Sequence, residues 1–125
     1  MTTFSETNRI GDVLKFEAHQ NFNREVVTMI SGQDLVAGTV LGKITASGKY
    51  TLHNNAGGDG SEVAIAVLLF DCDASGGDTP AVILARGPAI VSNDDLVFKS
   101  GISAPNRAAA ITNLASLGIV ARATV

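Results

Sequence analysis

Tryptophan is missing from the 125 residues, and aromatic side chains make up only 5% of them. A core without large rings has to be filled by Val, Ile, Leu and Ala, and the apolar share of 46% is large enough for one. Branched aliphatic side chains suit a pleated, half-buried surface, so the composition favours strands. At this length one domain can bury roughly two-thirds of the surface its unfolded chain exposes. Cysteine occurs once, at Cys72, which excludes an intrachain disulfide. Charge of one sign is not concentrated anywhere: 12 acidic and 9 basic residues are scattered along the chain, for a net charge of -3. A phosphate backbone needs a basic stripe, so nucleic acid is not an expected partner. Long hydrophobic runs are lacking too. The longest, Val63 to Phe70, falls far short of the roughly 20 residues that cross a bilayer, and reads instead as a buried strand. The start of the chain, Met1-Thr2-Thr3-Phe4-Ser5-Glu6, has neither the charged nor the apolar region of a signal peptide, so synthesis in the cytoplasm is expected.

Motifs that carry chemistry are incomplete. Ser47-Gly48-Lys49-Tyr50-Thr51 echoes a phosphate-binding loop, but Lys43 stands where the first glycine belongs and Tyr50 where a magnesium-binding hydroxyl belongs. Asp71, Asp73, Ser75 and Gly76 match the first half of a calcium loop, whereas the twelfth position is Val82 in place of a bidentate glutamate. His19, His53 and Cys72 lie too far apart in sequence for a zinc site, and both histidines read as solvated. Cys72 sits between two aspartates, which would raise its thiol pKa and leave it a poor nucleophile. No Gly-x-Ser-x-Gly elbow is present, so a hydrolase has no nucleophile to build on. The expectation is a protein with no catalytic residue, no metal, no cofactor and no small-molecule substrate.

Along the chain, residues 1–23 are polar, with Phe4, Ile10, Val13, Leu14, Phe16 and Phe22 isolated among Thr, Ser, Asn and charged side chains. Such a segment cannot build its own core and is expected to be a flexible N-terminal arm. From Arg24 to Val125 short apolar runs alternate with glycine-rich turns, which reads as one β-rich domain. Val26 to Ile30 and Leu35-Val36 are strand candidates. Thr39 to Thr45 and Lys49 to His53 flank Ala46-Ser47-Gly48 as a hairpin, with Val40, Ile44, Tyr50 and Leu52 as candidate core positions. Ala81 to Arg86 is a further strand that Gly87-Pro88 must end, and Ala89 to Ser92, Leu96 to Lys99 and Ile119 to Val125 are others. One helix is expected, from Pro105 to Leu117, capped by Gly118 and packing through Ile111, Leu114 and Ala115. The fold class is therefore mainly β (α+β): a small barrel or sandwich-like domain with one short C-terminal helix and a flexible N-terminal arm.

The stretch from Arg24 through Gly32 to Thr45, followed by Ser47-Gly48-Lys49-Tyr50, resembles the opening of the phage head decoration proteins. Val63 to Phe70, Ala89 to Phe98, Asn106 to Leu114 and Leu117 to Val120 resemble the rest of that family in the same order. The resemblance implies a homotrimer on the outside of an expanded capsid, bound to the major capsid protein and resisting internal DNA pressure. It also implies an arm that orders on the capsid, and Phe4, Ile10, Val13, Leu14, Phe16 and Phe22 are the candidate anchors. Apolar strands such as Ala81 to Leu84 and Ala89 to Val91, more than a lone domain of this size is expected to cover, add to the expectation of a trimer. The alternative is a small β-barrel carrier or ligand-binding module, since Ala37 to Gly42 with Gly48-Lys49 is similar to the hairpins of lipoyl-type domains; Lys49 would be the modified residue.

Overall fold

A computed structural model describes residues 13–123 of the chain. Strict alternation builds its centre. In β2 (Arg24–Met29) Val27 and Met29 point one way and Val26 and Thr28 the other, and β4 (Val40–Lys43), β6 (Ala66–Leu68) and β8 (Thr79–Leu84) follow the same period of two. Together with β5 (Tyr50–Leu52) these strands close into a barrel in the order β2-β5-β4-β6-β8. Closure leaves none of the five with a free edge. The interior takes Met29, Leu41, Ala66, Leu68, Ala81 and Ile83. The alternate residues Val40, Val67 and Leu84 point outward and are nevertheless fully buried, because a second layer covers that wall.

The second layer is a three-stranded sheet, β1 (Leu14–Glu17), β9 (Ala89–Ser92) and β10 (Ile119–Arg122), in the order β1-β9-β10, with the helix α2 (Ala104–Ser116) packed beside it. Val13, Val91, Ala110, Leu114 and Ile119 fill the space between this layer and the barrel wall. The helix starts where Ser103 accepts the Asn106 amide at 3.3 Å, with Pro105 in the first turn, and it ends before Gly118, whose φ of +84° suits glycine. Gly87 crosses so close to that corner that its N–H donates to Leu117 O at 2.9 Å. A minor pair, β3 (Asp34–Leu35) with β7 (Cys72–Asp73), and a 3-10 turn at Asn93–Asp95 complete the described elements.

The mainly β architecture with one substantial helix agrees with the sequence, as does the hairpin: β4 and β5 pair with Leu41 opposite Leu52 and Lys43 opposite Tyr50. Several details differ. Val63 to Phe70 is not one continuous strand. Only Ala66–Leu68 forms a strand, with single backbone bonds from Ile65 to Leu41 O and from Leu69 to Val82 O beside it, while Val63 and Phe70 at the ends of the run are exposed. Leu96 to Lys99 forms no strand; it follows the 3-10 turn and touches the barrel through one isolated bridge, Val97 to Thr39. In α2, Leu114 and Ile111 pack as expected, but Ala115 is exposed and Ala110 is the second buried position. Ala81, Ile83, Leu84, Ala89 and Val91 are all buried within the single chain, so they give no reason of their own for a partner.

The largest difference concerns residues 13–23, expected as part of a separate arm. Val13 is fully buried in the core and Leu14 packs against it, while β1 pairs antiparallel with β9. A single helical turn, α1 (Gln20–Asn23), then leads into β2. Asn23 is the reason this short polar segment holds: fully buried, it donates from Nδ2 to Arg86 O at 2.9 Å and Pro88 O at 3.2 Å, and its Oδ1 accepts the His19 amide at 2.8 Å. Three satisfied polar contacts replace the apolar stripe that the sequence lacks here.

Candidate functional site

The outward face of β2 continues the barrel wall beyond the cover of the second layer. Val26 lies there 71% exposed, opposite Val82 of β8, and the two line a shallow hollow with Asn21, Arg24 and Glu25. Immediately before it, Phe22 on α1 is 57% exposed and Phe16 on β1 is 51% exposed. These three, carried on three consecutive elements, are the most exposed of the large apolar side chains of the described residues; Val63, Phe70, Leu117 and Val120 are exposed to a lesser degree. Isolated exposed apolar groups are ordinary, but aromatic ones set among paired charges are typical of interaction surfaces.

The charges around them are already matched. Arg24 and Glu17 meet at 2.5 Å, joining β2 to β1. Arg86 pairs with Glu25, donates to the Phe22 carbonyl, and stacks its guanidinium 5.3 Å from the centre of the Phe22 ring. That stacking fixes the Phe22 ring without hiding it. Ion pairs therefore hold the side chains next to Phe22 and Val26, which lowers the ordering cost of docking another protein there.

Of the six expected anchors, the structure exposes Phe16 and Phe22. It buries Val13 completely and Leu14 in part, so these two are corrected to core residues: their side chains cannot reach a partner while β1 is paired. Phe4 and Ile10 lie outside the described residues. Val26 was missed, although the signal was there. It shares strand parity with Arg24 and Thr28, whereas Val27 shares it with buried Met29, although Glu25 on that second parity blurs the pattern.

The remaining candidates resolve as follows. Asp71 accepts the Ala37 amide at 2.9 Å, and Asp73 accepts both the amide and the hydroxyl of Ser75, so the half calcium loop is an Asx turn. No group of three metal-ligating side chains occurs among the described residues. Burial pushes the Cys72 thiol up, with Asp73 and Asp34 adding to it. Lys49 is ion-paired to Asp78 at 2.6 Å and is not presented free at a hairpin tip as a carrier lysine would be. His53 is not solvated: it is fully buried, and burial lowers its pKa despite the hydrogen bond to the Glu62 carbonyl.

Compared with known proteins, residues 3–119 match the family model described as bacteriophage lambda head decoration protein D. No curated protein matches the chain at a significant level.

Proposed function

Because the chain belongs to the bacteriophage lambda head decoration protein D family, structural proteins of the phage capsid, we propose that it binds the outside of an expanded phage head as a homotrimer. There it holds the shell against internal DNA pressure. The observation that carries this reading is the family match over residues 3–119, nearly the whole chain. The fold supports it physically. Barrel and second layer bury their own core, and Phe16, Phe22 and Val26, among the apolar groups left in water, are available to partners.

In this reading the major capsid protein is met by Phe4 and Ile10 from the first residues and by Phe16 and Phe22 behind them. Val13 and Leu14 anchor the segment to its own domain. Extended segments of this composition attach by adding a strand to a neighbouring sheet edge and seating side chains in pockets. Three copies acting together convert weak single contacts into avidity. The protein is made in the host cytoplasm, does no catalysis, and needs neither nucleic acid nor membrane for its task. Sedimentation of the purified protein tests the trimer: a trimer mass at micromolar concentration is expected, and a monomer alone at high micromolar concentration would contradict it. Heating expanded, DNA-filled heads with and without the protein tests the cementing role. DNA release should require a higher temperature with it, and an unchanged release temperature at saturation would count against the reading.

A further inference from the structure

The three-stranded sheet of the second layer has one face on the core and one turned away from it. Ala89 and Val91 of β9 and Ile119 and Ala121 of β10 pack into the core, so Ile90 and Val120 between them point outward. By the same alternation Phe16 would follow Leu14 inward, since residues two apart on a strand share a face. It does not. The pairing of β1 with β9 shifts between them: Leu14 lies opposite Val91 and Phe16 opposite Ile90, which makes Lys15 the extra residue of a bulge. The bulge re-aims Phe16 to the outer face, where it is exposed. Val120 stands opposite Ile90 on the other side. One row, Phe16–Ile90–Val120, therefore crosses all three strands without a polar side chain in it. At roughly 4.8 Å from strand to strand it is a flat strip about 10 Å long.

Strands with one solvated face ordinarily read polar on that face, and this row does not. Its own helix does not cover it, because Ala110 and Leu114 of α2 join the core on the opposite face of the sheet. Val120 is left exposed and Ile90 half-buried by its neighbours. The course of the chain points to what covers them. β1 begins at Leu14, so residues 1–12 enter the sheet at one end of the strip. Ile10 precedes Phe16 by six residues, which span at most about 20 Å when fully extended. A surface that seats Ile10 therefore lies within that reach of the strip.

We propose that this outer sheet face docks on an apolar strip of the phage shell, with Ile90 and Val120 joining Phe16 in a second contact beside that of the first residues. The proposal rests on the decoration reading. Strands already held by their own ladder lose little freedom on docking, so even a narrow strip adds to the affinity. The test uses the full-length protein with Val120→Lys or Ile90→Lys, and Val63→Lys as a control at an exposed apolar position outside this sheet. Sedimentation gives the mass of each, urea gives its unfolding midpoint, and pelleting with expanded heads of the cognate phage gives its affinity. All three variants are expected to keep the parent mass and midpoint. Val63→Lys should bind heads as the parent does, whereas Val120→Lys and Ile90→Lys should each bind at least tenfold more weakly, in line with one branched aliphatic side chain removed from a buried contact. Val120 is on an edge strand, where a replacement disturbs the fold least, so its result decides if Ile90→Lys unfolds. Parent-like binding by Val120→Lys would overturn the proposal. A lower mass for Val120→Lys would make the face a contact between copies and overturn it as well, as would equal weakening by Val63→Lys. A parent protein that does not pellet with heads would instead defeat the decoration reading itself.

Discussion

Gly87→Ala is expected to be among the most damaging single changes in this protein. A Cβ at Gly87 would lie 1.9 Å from the Gly118 carbonyl oxygen, 2.3 Å from its carbon and 2.7 Å from its Cα, all of them backbone atoms. A side chain could swing aside, but here the corner between α2 and β10 would have to move as a unit. Two hydrogen bonds tie that corner to the segment entering β9: Gly87 N–H to Leu117 O at 2.9 Å and Ala89 N–H to Gly118 O at 3.1 Å. Separation sufficient to admit a methyl group breaks both, at about 1 kcal/mol each, and overpacking adds roughly 1–3 kcal/mol. The expected loss is thus about 3–5 kcal/mol, a large part of the stability of a domain this size. Urea unfolding at one fixed protein concentration measures it, because any self-association makes stability concentration-dependent. Gly76→Ala is the control: nothing lies within 4 Å of its added Cβ, and a change within about 0.5 kcal/mol is expected. A Gly87→Ala protein within 1 kcal/mol of the parent would refute the close crossing as the feature that locks the α2–β10 corner to the segment entering β9.

Three further outcomes follow from the same packing. Leu114→Ala, at a fully buried position between helix and barrel wall, should cost about 2–5 kcal/mol in the same urea assay; less than 1 kcal/mol would mean that α2 does not seal that wall. Asn23→Ala should cost roughly 2–4 kcal/mol, since it strands the Arg86 carbonyl and the His19 amide, while Pro88 O keeps the Ala18 amide; a silent substitution would show that water replaces the side chain freely. His53 has a folded-state pKa below its unfolded value near 6.5, so its contribution is present above about pH 6.5 and is lost as the pH falls through the folded value; thermal melts from pH 7.5 to 5 should show that slope, and His53→Gln should flatten it.

The barrel was legible because its signal is local. Alternation in Val27 and Met29, the glycine at the β4–β5 turn, and the Ser103, Pro105 and Gly118 punctuation of the helix each depend on neighbours in sequence alone. What stayed hidden depends on distant partners. Val13 and Leu14 look like isolated apolar residues in a polar stretch until β9 is placed beside them, and Asn23 shows its value only against Arg86 and Pro88, more than sixty residues away. Likewise, Val40, Val67 and Leu84 look outward by alternation, and only the second layer makes them core. Of the candidate surface, the two phenylalanines were visible as aromatic residues without a periodic context. Val26 was masked by sitting next to Val27 in an apolar run, where composition outweighed parity.

The central claim is that the first residues attach an independently folded domain to a phage head, and removal of residues 1–10 tests it most directly. The cut has to fall before Val13, because a chain starting at Gln20 would also lose β1 and a core side chain. Full-length protein and a chain starting at Gly11 are mixed separately with expanded heads of the cognate phage, and the heads are pelleted. The account predicts that both proteins unfold at the same urea concentration, that the full-length protein co-sediments, and that the shortened one stays in the supernatant. Equal co-sedimentation of the two, or a full-length protein that fails to pellet with expanded heads at all, would contradict it.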